Sequence, residues 1–207
     1  MALYEAIRRR AALSDPSGAL LIVPEQYSHA AERELVEQLG DSASLYAEVR
    51  SFTRLAARVR EELGGSAAVI LDEGGRVLTM ATALKAVAGA LKLYGVLGKK
   101  PEFLTGLLAT VDELKQCCLT PENLLDAAQW ATGSLRDKLN DLAYIAGAYD
   151  AVSRRTDPRD TLTRLADTIP ESSVVHNSIF VDGFSDFTAQ EGRILQRLLH
   201  AGTDLTV

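Results

Sequence analysis

Residues 179–188 read Ile-Phe-Val-Asp-Gly-Phe-Ser-Asp-Phe-Thr. A short apolar run closes on an acid, Asp182, and a glycine, Gly183, before two further aromatics. A run that is apolar on both faces suits a strand of a parallel sheet, because helices cover both sides of such a sheet. Directly behind it, Thr188-Ala189-Gln190-Glu191 has the spacing of a capping box, with Thr at the cap and Glu at the third helical position. Ile194, Leu195, Leu198 and Leu199 then form a helical stripe. Strand, turn and helix in that order are the grammar of an α/β fold.

The same grammar stands far upstream. "ALLIVP" (19–24) reads as a strand buried on both faces, and "SHAAERELVEQLG" (28–40) as a helix. That helix carries Ala31, Leu35 and Leu39, is widened by Val36, and stops at Gly40. "YAEVRSF" (46–52) is a second strand, followed by a helix with Leu55, Val59 and Leu63 that ends at Gly64-Gly65. "SIFVDGF" (178–184) and "TDLTV" (203–207) are later strands. From about Asp72 to Pro170 the pattern is helix after helix. One runs over 74–94, one starts at Pro101, one at Thr120-Pro121-Glu122, one is capped by Ser134, and one opens at Asp157-Pro158-Arg159-Asp160. Residues 97–102 read as a loop, and Trp130 as packing within the helical stretch. The expectation is a parallel-sheet α/β core in two parts, 1–71 and 173–207, interrupted by an all-helical insertion over 72–172. A helix at the start and a lone strand at the end suggest a core cut at both ends.

Hydrophobic content of 47% and charged content of 24% are those of an ordinary globular chain, and no apolar run reaches the length of a membrane span. Nothing at the N-terminus reads as a signal peptide. Cys117 and Cys118 are adjacent and lack metal-ligand spacing, so reduced thiols in a cytoplasmic protein are expected. A net charge of −6 argues against a general electrostatic grip on nucleic acid, so such binding needs a local basic patch.

No G-x-x-x-x-G-K-[ST] phosphate loop is present, and Gly95-Val96-Leu97-Gly98-Lys99-Lys100 has the wrong spacing. ATP hydrolysis is therefore not expected of this chain. In nucleotide-driven motors a strand such as 179–182 ends in Asp-Glu, and the pair holds magnesium and activates water; here Gly183 replaces the glutamate. Asp182 reads either as a magnesium ligand or as a strand-end acid turning with Gly183. A magnesium-dependent phosphotransferase built on Asp182 is a further alternative, although Asp182 and Asp186 are four apart rather than the two of Asp-x-Asp enzymes. The turns after the first two strands supply Gln26, Tyr27, Ser28, Phe52, Thr53 and Arg54, and the third supplies Phe184 and Phe187. Amides and hydroxyls bond bases or phosphates, arginine pairs with phosphate, and aromatics stack bases. Arg50, Arg54, Arg58 and Arg60 give local positive charge. The plainer alternative is that Phe52 and Phe184 are core and Ser28 and Ser51 are caps. His29, His176 and His200 are scattered, and Arg8-Arg9-Arg10 reads as a solvated helix face.

"LLIVPEQYSHAAEREL", "AEVRSFTRLAARV" and "IFVDGFSDFTAQEGRILQRLL", with "LKQCCLTPENL" and "LRDKLNDLAYIAGAYDAV" between them, resemble the N-terminal region of the B subunit of AddAB/RexAB-type ATP-dependent helicase–nucleases. The resemblance runs over nearly the whole chain in order. It implies a superfamily 1 helicase-like, P-loop NTPase-like core (subdomain 1A) lacking its P-loop, with subdomain 1B as the helical insertion. It implies a degenerate motor that scans single-stranded DNA in bacterial double-strand break repair. Its segments stand at helicase motifs Ia, Ib and II, which implies DNA contacts at Gln26, Ser28, Phe52, Thr53, Arg54 and Phe184, and a degenerate motif II at Asp182 and Gly183. A scaffold role, docking the A subunit without touching DNA, is the rival. ATP, magnesium and an iron–sulfur cluster belong, by the same resemblance, to the whole subunit rather than to this stretch; its nuclease domain is absent here. At position 57, where the family often carries an aromatic, this chain has alanine.

Overall fold

The computed structural model describes residues 2–12, 18–40, 43–65, 70–95, 100–154 and 156–207. The chain divides into two compact units, residues 1–66 with 161–207 and residues 67–160.

The first unit opens with α1 (Ala2–Ala12), β1 (Ala19–Ile22), α2 (Ser28–Leu39), the short α3 (Ala43–Tyr46), β2 (Ala47–Arg50) and α4 (Phe52–Glu62). The second unit contains α5 (Glu73–Val87), α6 (Pro101–Gln116), α7 (Pro121–Trp130) and α8 (Gly133–Ser153). The first unit resumes with α9 (Thr161–Thr168), β3 (Ser178–Val181), α10 (Ala189–His200) and β4 (Asp204–Thr206).

The four strands form one sheet in the order β2-β1-β3-β4, with every pairing parallel. The period-2 alternation of each strand sorts its side chains between two cores. Leu20, Ile22, Ile179 and Val181 join Phe52, Leu55, Val59, Leu165, Ile194 and Leu198 on one face. Leu21, Val23, Val49 and Phe180 join Ile7, Ala31 and Leu35 on the other. β1 and β3 are buried along their whole length, as the both-faces-apolar reading requires. β2 lies at an edge and alternates buried Ala47 and Val49 with half-buried Glu48 and Arg50. The capping box before α10 is complete: Thr188 Oγ1 accepts from the Glu191 N–H, and the Glu191 carboxylate accepts from the Thr188 N–H at 2.8 Å.

Several local expectations shift. Val36 and Leu63 face solvent rather than the core. The 74–94 helix gives way to a 3-10 turn at Ala88, and α8 starts at Gly133 behind Thr132, so Ser134 is not its cap. Trp130 is 90% exposed, not packed, because it ends α7 beyond that helix's buried Leu124 and Ala128. The compact division falls after Asp160 rather than at 172, since Leu165, Ala166 and Ile169 complete the α/β core beside α4 and α10. At the other boundary the Leu71 N–H donates to the Thr156 carbonyl at 3.0 Å within the helical unit. Residues 96–99, which hold most of the glycine-lysine loop, and the Arg10 side chain lie outside the described residues.

The helical unit has its own apolar core of Met80, Leu84, Leu104, Leu108, Val111, Ile145 and Tyr149. Charges are buried beside it. Arg76, 2% exposed, pairs with Asp112 and lies 3.3 Å from Asp157, which is fully buried. The Tyr149 hydroxyl donates to Asp157 at 2.7 Å, and the Arg159 N–H donates to its other oxygen at 2.8 Å. Lys115 sits 2.6 Å from Asp160 and 3.1 Å from Asp150. Buried Asp141 accepts the N–H groups of Lys92, Leu93 and Tyr94 at 2.9, 2.7 and 3.0 Å, closing the turn after α5.

Candidate nucleic-acid interface

β1 lies between β2 and β3, so the chain leaves β1 toward one neighbour and later returns on its other side. In open α/β sheets ligands bind outside the carboxyl ends of strands at such a reversal. Here the ladder runs on past the strand ends: Val23 N–H donates to the Arg50 carbonyl and Asp182 N–H to the Ile22 carbonyl, both at 3.0 Å. The turns after β1, β2 and β3 therefore emerge at one level along one rim. Gly183 shows how close they come, because a Cβ built there would lie 3.4 Å from Pro24 Cδ and 3.8 Å from Tyr27 Cδ2.

The predicted residues divide by exposure. Gln26, Thr53 and Asp182 are exposed, and Arg54 is half-buried. Phe52 is 3% exposed, and its ring meets Phe184 edge-on at 5.6 Å between centroids. Phe184 in turn stacks on Phe187 at 5.1 Å, and both pack against the core that holds Phe52. Phe52 thus has no face free for a base; it anchors the start of α4, as the plainer reading had it. Ser28 is fully buried, and its hydroxyl has no hydrogen-bond partner among the described residues. Tyr27, 50% exposed, is the aromatic that the rim does present.

Three of the four arginines of the local basic patch are already paired. Arg54 Nε lies 3.2 Å from Glu25 and its Nη1 3.5 Å from Glu32. The Ser51 hydroxyl donates to the second oxygen of Glu25 and accepts the Arg54 N–H at 3.2 Å, capping α4. Arg50 and Arg58 both pair with Glu48. Glu25 was not legible as a site residue, since a single acid after a strand carries no spacing signal. Nor was Tyr4 on α1, since its partners Glu34 and Asp182 are distant in sequence. Its hydroxyl is pushed up to about 12, first by burial and then by its hydrogen bond to Glu34 and the charges of Glu34 and Asp182. Asp182 itself accepts the Gly183 N–H at 2.8 Å, the geometry of a strand-end turn. Among the described residues no three acidic, histidine or cysteine side chains come together as a metal site. A separate cleft of about 600 Å³ runs along β2, lined by Leu35, Val36, Leu45, Glu48 and Arg58, and it includes none of the six residues predicted to contact DNA. No described helix is long and apolar enough to cross a membrane.

A four-stranded parallel sheet with helices on both faces, a reversal at β1 and polar turns gathered on its carboxyl rim define an α/β protein. A family model described as "ADDB, N-terminal" matches residues 1–207, and the chain belongs to that family. Relatives named as the B subunit of an ATP-dependent helicase/deoxyribonuclease agree with it. The protein from Pelotomaculum thermopropionicum is 35% identical across all of this chain and 19% of its own length. That from Clostridium tetani is 32% identical over 95% of this chain and 18% of its own. That from Geobacillus thermodenitrificans is 33% identical over all of this chain and 19% of its own. The chain thus spans about a fifth of the length of the relatives it matches.

Proposed function

We propose that this chain is part of the degenerate, helicase-like motor core of a helicase–nuclease B subunit that serves double-strand break processing and recombinational DNA repair. It contacts single-stranded DNA at the carboxyl rim of its sheet and catalyses nothing by itself. The observation that carries the reading is the convergence of three turns, distant in sequence, at the reversal beside β1. Exposed Gln26 and Thr53, half-buried Arg54 and exposed Tyr27 supply amide, hydroxyl, guanidinium and ring contacts suited to a phosphate backbone and its bases. Ser28 and Phe52 support that surface from within, and Phe184 braces Phe52.

Gly183 stands where a motor places its water-activating glutamate. Its φ of +79° is a left-handed conformation that side chains rarely adopt, so the turn itself is built for glycine. The whole subunit's cofactors do not fit these residues. The chain has two cysteines where an iron–sulfur cluster takes four, and it has no phosphate loop for ATP. No step here runs through either.

The scaffold reading, in which this core docks the A subunit without touching DNA, is favoured by one observation: Arg54, the rim's main cation, is already paired with two glutamates. Fluorescence anisotropy with labelled oligo-dT at 50 mM salt, set beside a pull-down with the A subunit, separates the two. Binding that Arg54→Ala weakens and Arg197→Ala, in the last turn of α10, does not supports DNA contact at the rim. Capture of the A subunit without oligo-dT binding replaces it with the scaffold. Magnesium-dependent phosphatase activity abolished by Asp182→Asn would replace both.

A further inference from the structure

We infer that Glu25 and Glu32 hold Arg54 in a charge-neutralising clamp across the rim, so that a DNA phosphate reaches Arg54 only by exchange with these carboxylates. The inference rests on the DNA-contact reading and names the residues that regulate it.

The clamp is built from two turns. Glu25 lies in the turn after β1, and Arg54 in the first turn of α4 after β2. The two oxygens of Glu25 are divided between them: one accepts from the Ser51 hydroxyl, and the other lies 3.2 Å from Arg54 Nε. Glu32, one turn into α2, approaches Nη1 at 3.5 Å. Ser51 closes the arrangement by accepting the Arg54 backbone N–H. One cation against two anions leaves this part of the rim at a net −1, a surface that repels a phosphodiester.

The members are nevertheless accessible. Side-chain exposures of 35% for Arg54, 58% for Glu25 and 45% for Glu32 leave both pairs in contact with solvent. Ion pairs in such settings are weak, so the clamp can open to a competing anion. A phosphate with its own bidentate geometry matches the guanidinium as well as a carboxylate does. Contact is therefore substitution of one anion for another. That makes binding weak, reversible and dependent on the strand offering a phosphate at the right place, as a surface that moves along DNA requires.

The test is a double-mutant cycle on the chain with labelled oligo-dT. Glu25→Gln keeps the shape and removes the charge, and is expected to raise affinity about three- to fivefold, the scale of an exposed ion pair. The combined Glu25→Gln/Glu32→Gln variant should bind tighter still, with a gain that shrinks as salt rises, because the competing charges it removes are solvent-exposed and screened. In the Arg54→Ala background both gains should vanish. A gain that persists without Arg54 means general repulsion and overturns the clamp, as does no gain at all in a chain that binds oligo-dT. A second readout needs no DNA. The Arg54 Nε–H resonance, identified by its loss in Arg54→Ala, should exchange with water more slowly than that of Arg60 and should speed up in Glu25→Gln. Fast exchange in the unsubstituted chain overturns the clamp. Slow, Glu25-dependent exchange with no oligo-dT binding by any variant keeps the clamp and overturns the DNA reading.

Discussion

Replacing Arg76 by leucine tests what holds the helical unit together. Arg76 is 2% exposed, pairs with Asp112, and lies 3.3 Å from fully buried Asp157. Burial alone would lower its guanidinium pKa; Asp112 and Asp157 outweigh burial and hold it above the ordinary value. Removing one partner of a buried pair typically costs about 3–5 kcal/mol, because the remaining charge stays desolvated. Asp157 would keep the Tyr149 hydroxyl at 2.7 Å, the Arg159 N–H at 2.8 Å and Lys115 at 3.6 Å. Asp112 would keep Arg159 at 3.2 Å. These survivors put the expected loss at the lower end, about 3 kcal/mol. At 1.4 kcal/mol per decade, amide exchange in α5, α6 and α8 should accelerate about a hundredfold. Exchange read by mass spectrometry suits a chain of two units, where one global unfolding curve is not defined. Amides of β1 and β3 report whether the loss is confined to the helical unit. Adding Asp157→Asn should recover part of the loss, since the orphaned charge goes with it. An acceleration below about fivefold, the level of a solvent-exposed pair, would refute the reasoning. So would strict additivity of the two substitutions.

Two further outcomes concern the acid limb of stability and the turn at Gly183. Burial alone would raise the Asp157 carboxyl, but the Arg159 N–H, the Tyr149 hydroxyl and the Lys115 and Arg76 charges hold it below the ordinary range. Its contribution is therefore complete above the unfolded aspartate value of about 3.9 and is lost as pH falls through the depressed one. Asp150, half exposed but raised by partial desolvation against the pull of Lys115, acts with the opposite sign, costing stability as pH rises through its value. Asp157→Asn should flatten the acid limb of helical-unit stability and Asp150→Asn should steepen it; movement in the same direction would be the wrong result. At the rim, Gly183→Glu creates an adjacent Asp-Glu pair but forces a side chain onto a φ of +79°. It should speed amide exchange in β1 and β3 about 5- to 30-fold, the equivalent of about 1–2 kcal/mol, and unchanged exchange would show that the turn can change its conformation.

Local chemistry made much of this protein readable from its residues alone. The unbroken apolar runs of β1 and β3 could be buried only beneath helices on both faces, which dictates a parallel α/β sheet. Thr188 with Glu191, and Thr120 before Pro121, announce helix starts because a cap is satisfied within four residues. The order of these elements was enough to set the three turns on one rim. What depended on distant partners was not readable. Whether Phe52 stacks a base or fills the core turns on Phe184, more than a hundred residues away. Whether Arg54 is a free cation turns on Glu25 and Glu32, which are brought to it only when β1 and β2 pair. The same holds for α9, whose Leu165 and Ala166 join the α/β core because α4 and α10 supply a surface there. Helical period marks an apolar face without saying which surface will cover it. Burial and charge pairing are properties of the assembled neighbourhood, so the tertiary structure alone decided which predicted residues stand on the surface and which support it from beneath.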